Sequence, residues 1–410
     1  MNVPRLRFQG FKGDWLESRI NQITSYVDYR GKTPTKVESG VFLVTAKNVR
    51  MGYIDYENSK EFIAKDDYDN VMSRGKPVVG DVLITTEAPM GNIASVDRDD
   101  IALAQRVIKL RGIEAILQNE FLKYRLQSKQ FQEKLTALSS GGTVKGIKGS
   151  VLHKIQVLIP AIGEQQKIAS FLSAIDQKIF LLTKNHELLL QYKKGVIQKI
   201  FNQEIKFRDK GGKGFPGWKS MSLAELGDAY NGLTGKTADD FGFGADYVTY
   251  KQIFDSSRID ASKFGCVSIK PGERQNVARY GDLFFTTSSE TPNEVGYCSV
   301  LLEDVKNLYL NSFCFGYRIK SFEVLSPKFA RFMFFSSNVR ESIVLLAQGS
   351  TRYNISKTNF MKIKVLVPAL KEQEKISLFL ESLEGKLATV ASQIELTKKY
   401  KQGLLQQMFI

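Results

Sequence analysis

Residues 154–201 read KIQVLIPAIGEQQKIASFLSAIDQKIFLLTKNHELLLQYKKGVIQKIF, and residues 362–409 read KIKVLVPALKEQEKISLFLESLEGKLATVASQIELTKKYKQGLLQQMF. At a fixed offset of 208, 20 of the 48 aligned positions are identical, so the chain carries one segment twice. Each copy opens on a β-branched apolar run ended by Pro160 or Pro368, which predicts a strand and its stop. GEQQKI and KEQEKI then place acids where the dipole of a starting helix favours them. Apolar residues follow at steps of three and four, among them Ile168, Ile175, Ile179, Leu182 and Val196, and in the second copy Ile376, Leu383, Leu387, Val390 and Leu404. A single apolar stripe of that spacing predicts a coiled-coil helix. Residues 164–201 alone would span about 57 Å at ~1.5 Å per residue. His186 falls on the stripe, where it either fixes register or is merely tolerated. Lys193 and Lys401 interrupt the stripe, which predicts a stutter or an opened end.

Weaker echoes continue upstream. GKT at 31–33 recurs at 235–237, and VTAKNV at 44–49 recurs as VTYKQI at 248–253. GDVLITT at 80–86 recurs as GDLFFTT at 281–287, and GGTVKGI at 141–147 as GSTRYNI at 349–355. The offset drifts from 204 to 201 to 208, as expected where loops vary in length. The predicted fold is α+β: two mixed, strand-rich globular units at 1–155 and 206–362, followed by strand–helix tails at 156–205 and 363–410. In the first unit GVFLVTAKNV, PVVGDVLITT, NIASVD and QRVIKLRG read as strands between Gly, Pro and Asp breaks. One amphipathic helix is expected over 120–138, with a counterpart over 327–346.

Charge sets the class of partner. The chain of 410 residues holds 58 Lys and Arg against 43 Asp and Glu, a net charge of +15. A field of that sign attracts polyanions, nucleic acid above all, although a solvated surface would carry it too. Three cysteines without a Cys-x-x-Cys pair, and only two histidines, match no zinc or disulfide framework. No apolar run approaches a membrane span and the first residues lack a signal-peptide core, so a reduced, cytoplasmic protein is expected.

The two GKT tripeptides raise the question of a nucleotide site. A P-loop needs a glycine five residues earlier, where this chain has Tyr26 and Tyr230, so ATP binding is rejected. Lys32, Thr33 and Lys36, and in the second copy Thr234, Lys236 and Thr237, are instead suited to a DNA phosphate, or form plain polar turns. Thr45, Lys47 and Asn48, with Lys251 and Gln252, combine lysine and carboxamide after a strand, a pairing able to reach guanine and adenine edges. Thr85, Thr86 and Asn92, and Thr286, Thr287 and Ser288, lie in hydroxyl- and amide-rich loops that either read bases or cap strand ends. Thr143, Lys145 and Lys148, and Ser350, Thr351, Arg352 and Tyr353, place cations beside glycine, fit for close approach to a phosphate backbone or for a mobile linker. FGFGAD at 241–246 lacks the spacing of a cofactor glycine motif and reads as a turn. No methyltransferase pocket motif, nuclease carboxylate–lysine set, histidine cluster or nucleophile elbow is found, which favours binding over catalysis.

The layout resembles the specificity subunits of type I restriction–modification systems. The resemblance covers essentially the whole chain and rests on the duplicated tails, the GGT/GST loops before them, and the GKT and GD…TT landmarks. The chain departs from the usual Pro-Pro before Glu-Gln, having Pro160-Ala161 and Pro368-Ala369. The resemblance implies a non-catalytic subunit whose two target recognition domains each read half of a bipartite site on double-stranded DNA. It implies a pseudo-twofold repeat whose helices pack antiparallel as a spacer and dock two methyltransferase subunits, joined by restriction and translocase subunits. S-adenosylmethionine, ATP and Mg²⁺ would belong to those partners, with no cofactor or metal in this chain. A scaffold indifferent to sequence, or a stand-alone nuclease component, is the competing expectation.

Overall fold

In the computed structural model, residues 2–29, 33–349 and 352–410 are described. The chain divides into two compact units, Met1–Lys184 with Val390–Ile410, and Asn185–Thr389.

In the first unit, a four-stranded antiparallel sheet has the order Thr24–Asp28, Val107–Gly112, Val82–Thr86, Met90–Ser95. A three-stranded sheet of Phe62–Ile63, Val41–Val44 and Ile101–Leu103 covers it. Val82–Thr86 is buried along its whole length because both of its faces are covered. Val82 and Ile84 face Phe121, Leu126 and Phe131, whereas Leu83 points the other way, among Leu43, Val44 and Ile101. Side chains alternate across a strand, so one apolar run feeds two cores.

The second unit repeats the plan. Its four-stranded sheet has the order Gly227–Asn231, Cys314–Ile319, Leu283–Thr286, Cys298–Val300, and its three-stranded sheet is Gly265–Val267, Phe241–Val248, Tyr309–Leu310. Leu283 and Phe285 join one core and Phe284 the other. The duplication seen in the tails therefore extends to strand order and to which face each residue takes.

Three sequence expectations are corrected. The helix expected over 120–138 is two, Asn119–Gln127 and Lys129–Ala137, because Ser128 is extended (φ −62°, ψ 149°) and caps the second through its hydroxyl. The counterpart breaks likewise at Ser336, between Pro327–Phe334 and Ser337–Val344. FGFGAD is not a turn but the start of the Phe241–Val248 strand, with Gly242 and Gly244 at φ 104° and 100° where the pairing to Gly265–Val267 bulges. That conformation is open to glycine and costly for other residues.

The long helices are Ile162–Phe201 and Leu370–Gln407. In the first unit Gln407 O accepts from the Leu6 N–H, Arg7 binds Glu164, and Lys401 Nζ lies 2.6 Å from Asp176 Oδ1, so the helix segments run antiparallel. In the second unit Lys193 Nζ lies 2.7 Å from Glu384 Oε1, while Phe207 packs on Phe379 further along. Lys193 and Lys401 are both partnered, and beside Lys193 a cavity of about 720 Å³ opens, lined also by Leu190, Ile197 and Glu384. Each meets an acid on the facing helix, and Asp176 and Glu384 are equivalent at the 208 offset. His186 is partly buried on the first helix.

The Glu-Gln of each tail has a structural duty. Gln165 donates to Pro160 O and Ile116 O at 2.8 and 2.9 Å and accepts from the Gln118 N–H at 3.0 Å. Gln373 repeats this with Pro368 O, Val324 O and the Ser326 N–H. A buried amide satisfied at three points locks the helix start to the loop ahead of the preceding helix pair.

Candidate nucleic-acid interface

Each four-stranded sheet ends in the same frame of loops. In the first unit the Thr86 N–H donates to Arg106 O (2.9 Å), and Thr86 O accepts from the Ile147 N–H (2.9 Å). In the second the Thr287 N–H donates to Phe313 O (3.0 Å), and Thr287 O accepts from the Ile355 N–H (3.1 Å). The glycine-rich loops are hairpins, closed between Ser140 and Gly146 and between Gln348 and Asn354. Each hairpin is thereby sewn onto the GD…TT strand, beside the loop that enters the neighbouring strand.

A cleft opens in each frame. The first, about 220 Å³, is lined by Thr33, Lys36, Thr45, Lys47, Gln105 and Arg106, among others. The second, about 400 Å³, is lined by Tyr250, Phe254, Ser288, Glu290, Phe313 and Arg352, among others. The backbone frame is shared, but the first lining carries Lys36, Lys47 and Arg106, whereas the second sets three aromatic rings beside Glu290, Glu294 and Arg352.

The structure sorts the sequence candidates. Thr33, Lys36 and Lys47 are exposed and Thr45 half-buried at the first cleft, with Thr33 Oγ1 donating to Gln105 Oε1 (2.9 Å) and Lys36 paired to Glu61 (2.8 Å). Thr143, Lys145 and Lys148 are exposed on and after the first hairpin. Ser288 and Arg352 line the second cleft, and Tyr353 pairs with Ser289 in its wall. Lys251 is exposed on the Tyr250–Asp255 helix, in an ion pair with Asp255. Thr234 is exposed, with its N–H donated to Gln275. Lys32, Ser350 and Thr351 lie outside the described residues.

Other candidates are turned inward. Asn48 is fully buried, its Oδ1 accepting from the Thr45 N–H and hydroxyl and its Nδ2 donating to Asp55 O. Gln252 is buried against Lys263 O. Buried Thr85 and Thr286 accept from the N–H groups of Asn92 and Tyr297, Asn92 donates on to Val49 O, and Thr86 is buried as well. Thr287 is committed through its backbone, and Thr237 caps a turn with Asp240. Lys236 is no phosphate grip: its side chain is 3% exposed and its Nζ binds Ser268 O and Glu273 Oε2. That ammonium helps hold the Glu273 carboxyl down at about 2.

Residues missed from sequence include Arg106, Gln105, Tyr250, Phe254 and Phe313. The available signal was position, since Arg106 and Phe313 each stand immediately before the strand that pairs with GD…TT. The aspartate of GD is structural. Asp81 takes a two-point contact from Arg111 (2.6 and 2.8 Å), and Asp282 takes one from Arg318 (2.9 and 2.6 Å). Among the described residues no group of three or more His, Cys, Asp or Glu is placed to hold a metal ion, and no helix is long and apolar enough to cross a membrane.

Comparison with known proteins follows the same two-part division. The MjaVIII specificity subunit of a type I restriction enzyme from Methanocaldococcus jannaschii is 22% identical, with 96% of this chain and 91% of that one covered. The MjaIX specificity subunit from the same organism is 28% identical over 36% of this chain and 35% of its own. Among solved structures, a type I restriction–modification S subunit from M. genitalium aligns with a TM-score of 0.57 at 16% identity, over 100% of this chain and 99% of that one. Residues 13–191 and 216–398 each match the family described as type I restriction modification DNA specificity domain, and the chain belongs to that family, carrying its domain twice.

Proposed function

We propose that the chain is the DNA-recognition subunit of a type I restriction–modification complex and performs no chemistry itself. Each unit reads one half of a bipartite, asymmetric site on double-stranded DNA. The long helices set the gap between half-sites and dock two methyltransferase subunits, which would bring S-adenosylmethionine. Restriction and translocase subunits would bring ATP and Mg²⁺, and the assembly would work in the cytoplasm.

One observation carries this reading: two clefts share a backbone frame and differ in lining. A common frame presents side chains to DNA in the same way, and a different lining selects different bases. The exposed lysines around the first cleft add sequence-independent attraction to phosphate. A scaffold indifferent to sequence would have no use for two linings.

The test exchanges residues 1–155 for the corresponding unit of another family member and maps methylated sites across a host genome. One half-site should change and the other stay. Change in both halves, or in neither, refutes independent reading by the units.

A further inference from the structure

Arg106 and Phe313 hold the same backbone position in the two units. Each carbonyl accepts from the second threonine of a GD…TT strand, and each residue immediately precedes the central strand Val107–Gly112 or Cys314–Ile319. Both side chains are exposed at a cleft, Phe313 to 60%. Their surroundings differ in kind. Arg106 sits between Gln105 and Glu87, with its Nε 3.5 Å from a Glu87 carboxylate oxygen. It does so at φ 72°, where an arginine is strained and a glycine would not be. Phe313 shares its cleft with Tyr250 and Phe254, and with Glu290, Glu294 and Arg352, and Tyr250 is fixed by its hydroxyl to Ser288 O (2.8 Å).

We propose that this one position reads a base edge in each half-site, Arg106 taking a guanine through O6 and N7 and Phe313 taking the 5-methyl group of a thymine. The inference rests on the DNA-reading function proposed above and names what two of its residues select. A guanidinium fork matches the paired acceptors that guanine alone presents in the major groove. A phenyl ring offers no donor or acceptor, and among major-groove edges only thymine carries an apolar group for it to meet. Glu87 lies beside Arg106, and Tyr250 and Phe254 share the cleft of Phe313, so the two positions meet DNA in different settings.

The experiment uses the full chain assembled with its methyltransferase, on duplexes carrying the mapped site. Guanines are replaced one at a time by 7-deazaguanine, which lacks the N7 acceptor, and thymines by deoxyuridine, which lacks the methyl. The unaltered protein should lose about 5- to 150-fold in affinity at one guanine of the first unit's half-site. It should lose roughly fourfold at one thymine of the other, the worth of one buried methyl. R106A should be insensitive to that 7-deazaguanine alone, and F313A to that deoxyuridine alone. R106K, which keeps the charge without the fork, should bind the unmodified site more weakly than the parent and lose less than the parent on replacement by 7-deazaguanine. If either alanine variant keeps the full sensitivity, or R106K discriminates like arginine, that assignment is overturned while the bipartite reading stands. If no replacement weakens binding by the unaltered protein, both assignments are overturned, and equal binding to a duplex lacking the site altogether is the outcome that refutes the proposed function.

Discussion

Glu164 and Glu372 open the two long helices at equivalent positions and meet opposite electrostatic surroundings. Glu164 is gripped by Arg7 at 2.7 and 2.8 Å, with 2% of its side chain exposed. Glu372 is 5% exposed, and its Oε2 has no hydrogen-bond partner among the described residues. Burial raises the Glu372 pKa, against a weaker opposing hydrogen bond from Trp218. A raised carboxyl favours its protonated form in the fold, so native stability falls as pH rises through the carboxylate range. E372Q should therefore melt higher than the parent near pH 7 and alike near pH 4 in thermal scans. R7A should do the reverse at neutral pH, leaving a buried charge alone at a cost of about 3 kcal/mol in denaturant unfolding. The exposed lysines make a different prediction. K145A and K148A should each weaken binding to all duplexes alike and reduce the salt-dependence slope by about 0.9 for each DNA phosphate no longer neutralised.

Among the elements, the tails were the most legible in sequence, because a three-and-four stripe sustained over some 38 residues has one structural solution. The interruptions at Lys193 and Lys401 show in sequence as breaks in the stripe, but the acids that face them, Glu384 and Asp176, do not. The break in the helix pair was missed although Ser128 is itself a capping residue, because the apolar spacing continues across it. The cleft was half legible. Thr45, Asn48, Thr85 and Asn92 have the chemistry of base readers and of loop braces alike, and only burial separates the two. Arg106 and Phe313 share no chemistry, so no repeated motif could mark them. The ruler assigned to the helices is tested by inserting one turn after Glu187 and another after Glu395. The recognised gap should lengthen or activity should vanish in methylation mapping, and an unchanged gap would separate the helices from spacing.

For the whole molecule, the unit boundaries do not follow the repeat boundaries. The first unit takes Leu404, Met408 and Phe409 from the second tail, and the second unit takes Val196, Ile200 and Phe201 from the first. Phe409 packs on Trp15 and Phe121, as Phe201 does on Trp218 and Phe329. Timing on the ribosome follows from this. The first unit's interior stays unfinished while roughly 200 further residues are made, a wait of about 10–40 s at ~5–20 residues per second. For that interval Trp15 and its neighbours lie open on the nascent polypeptide, so a cell making this chain must shelter them until the last helical turns emerge.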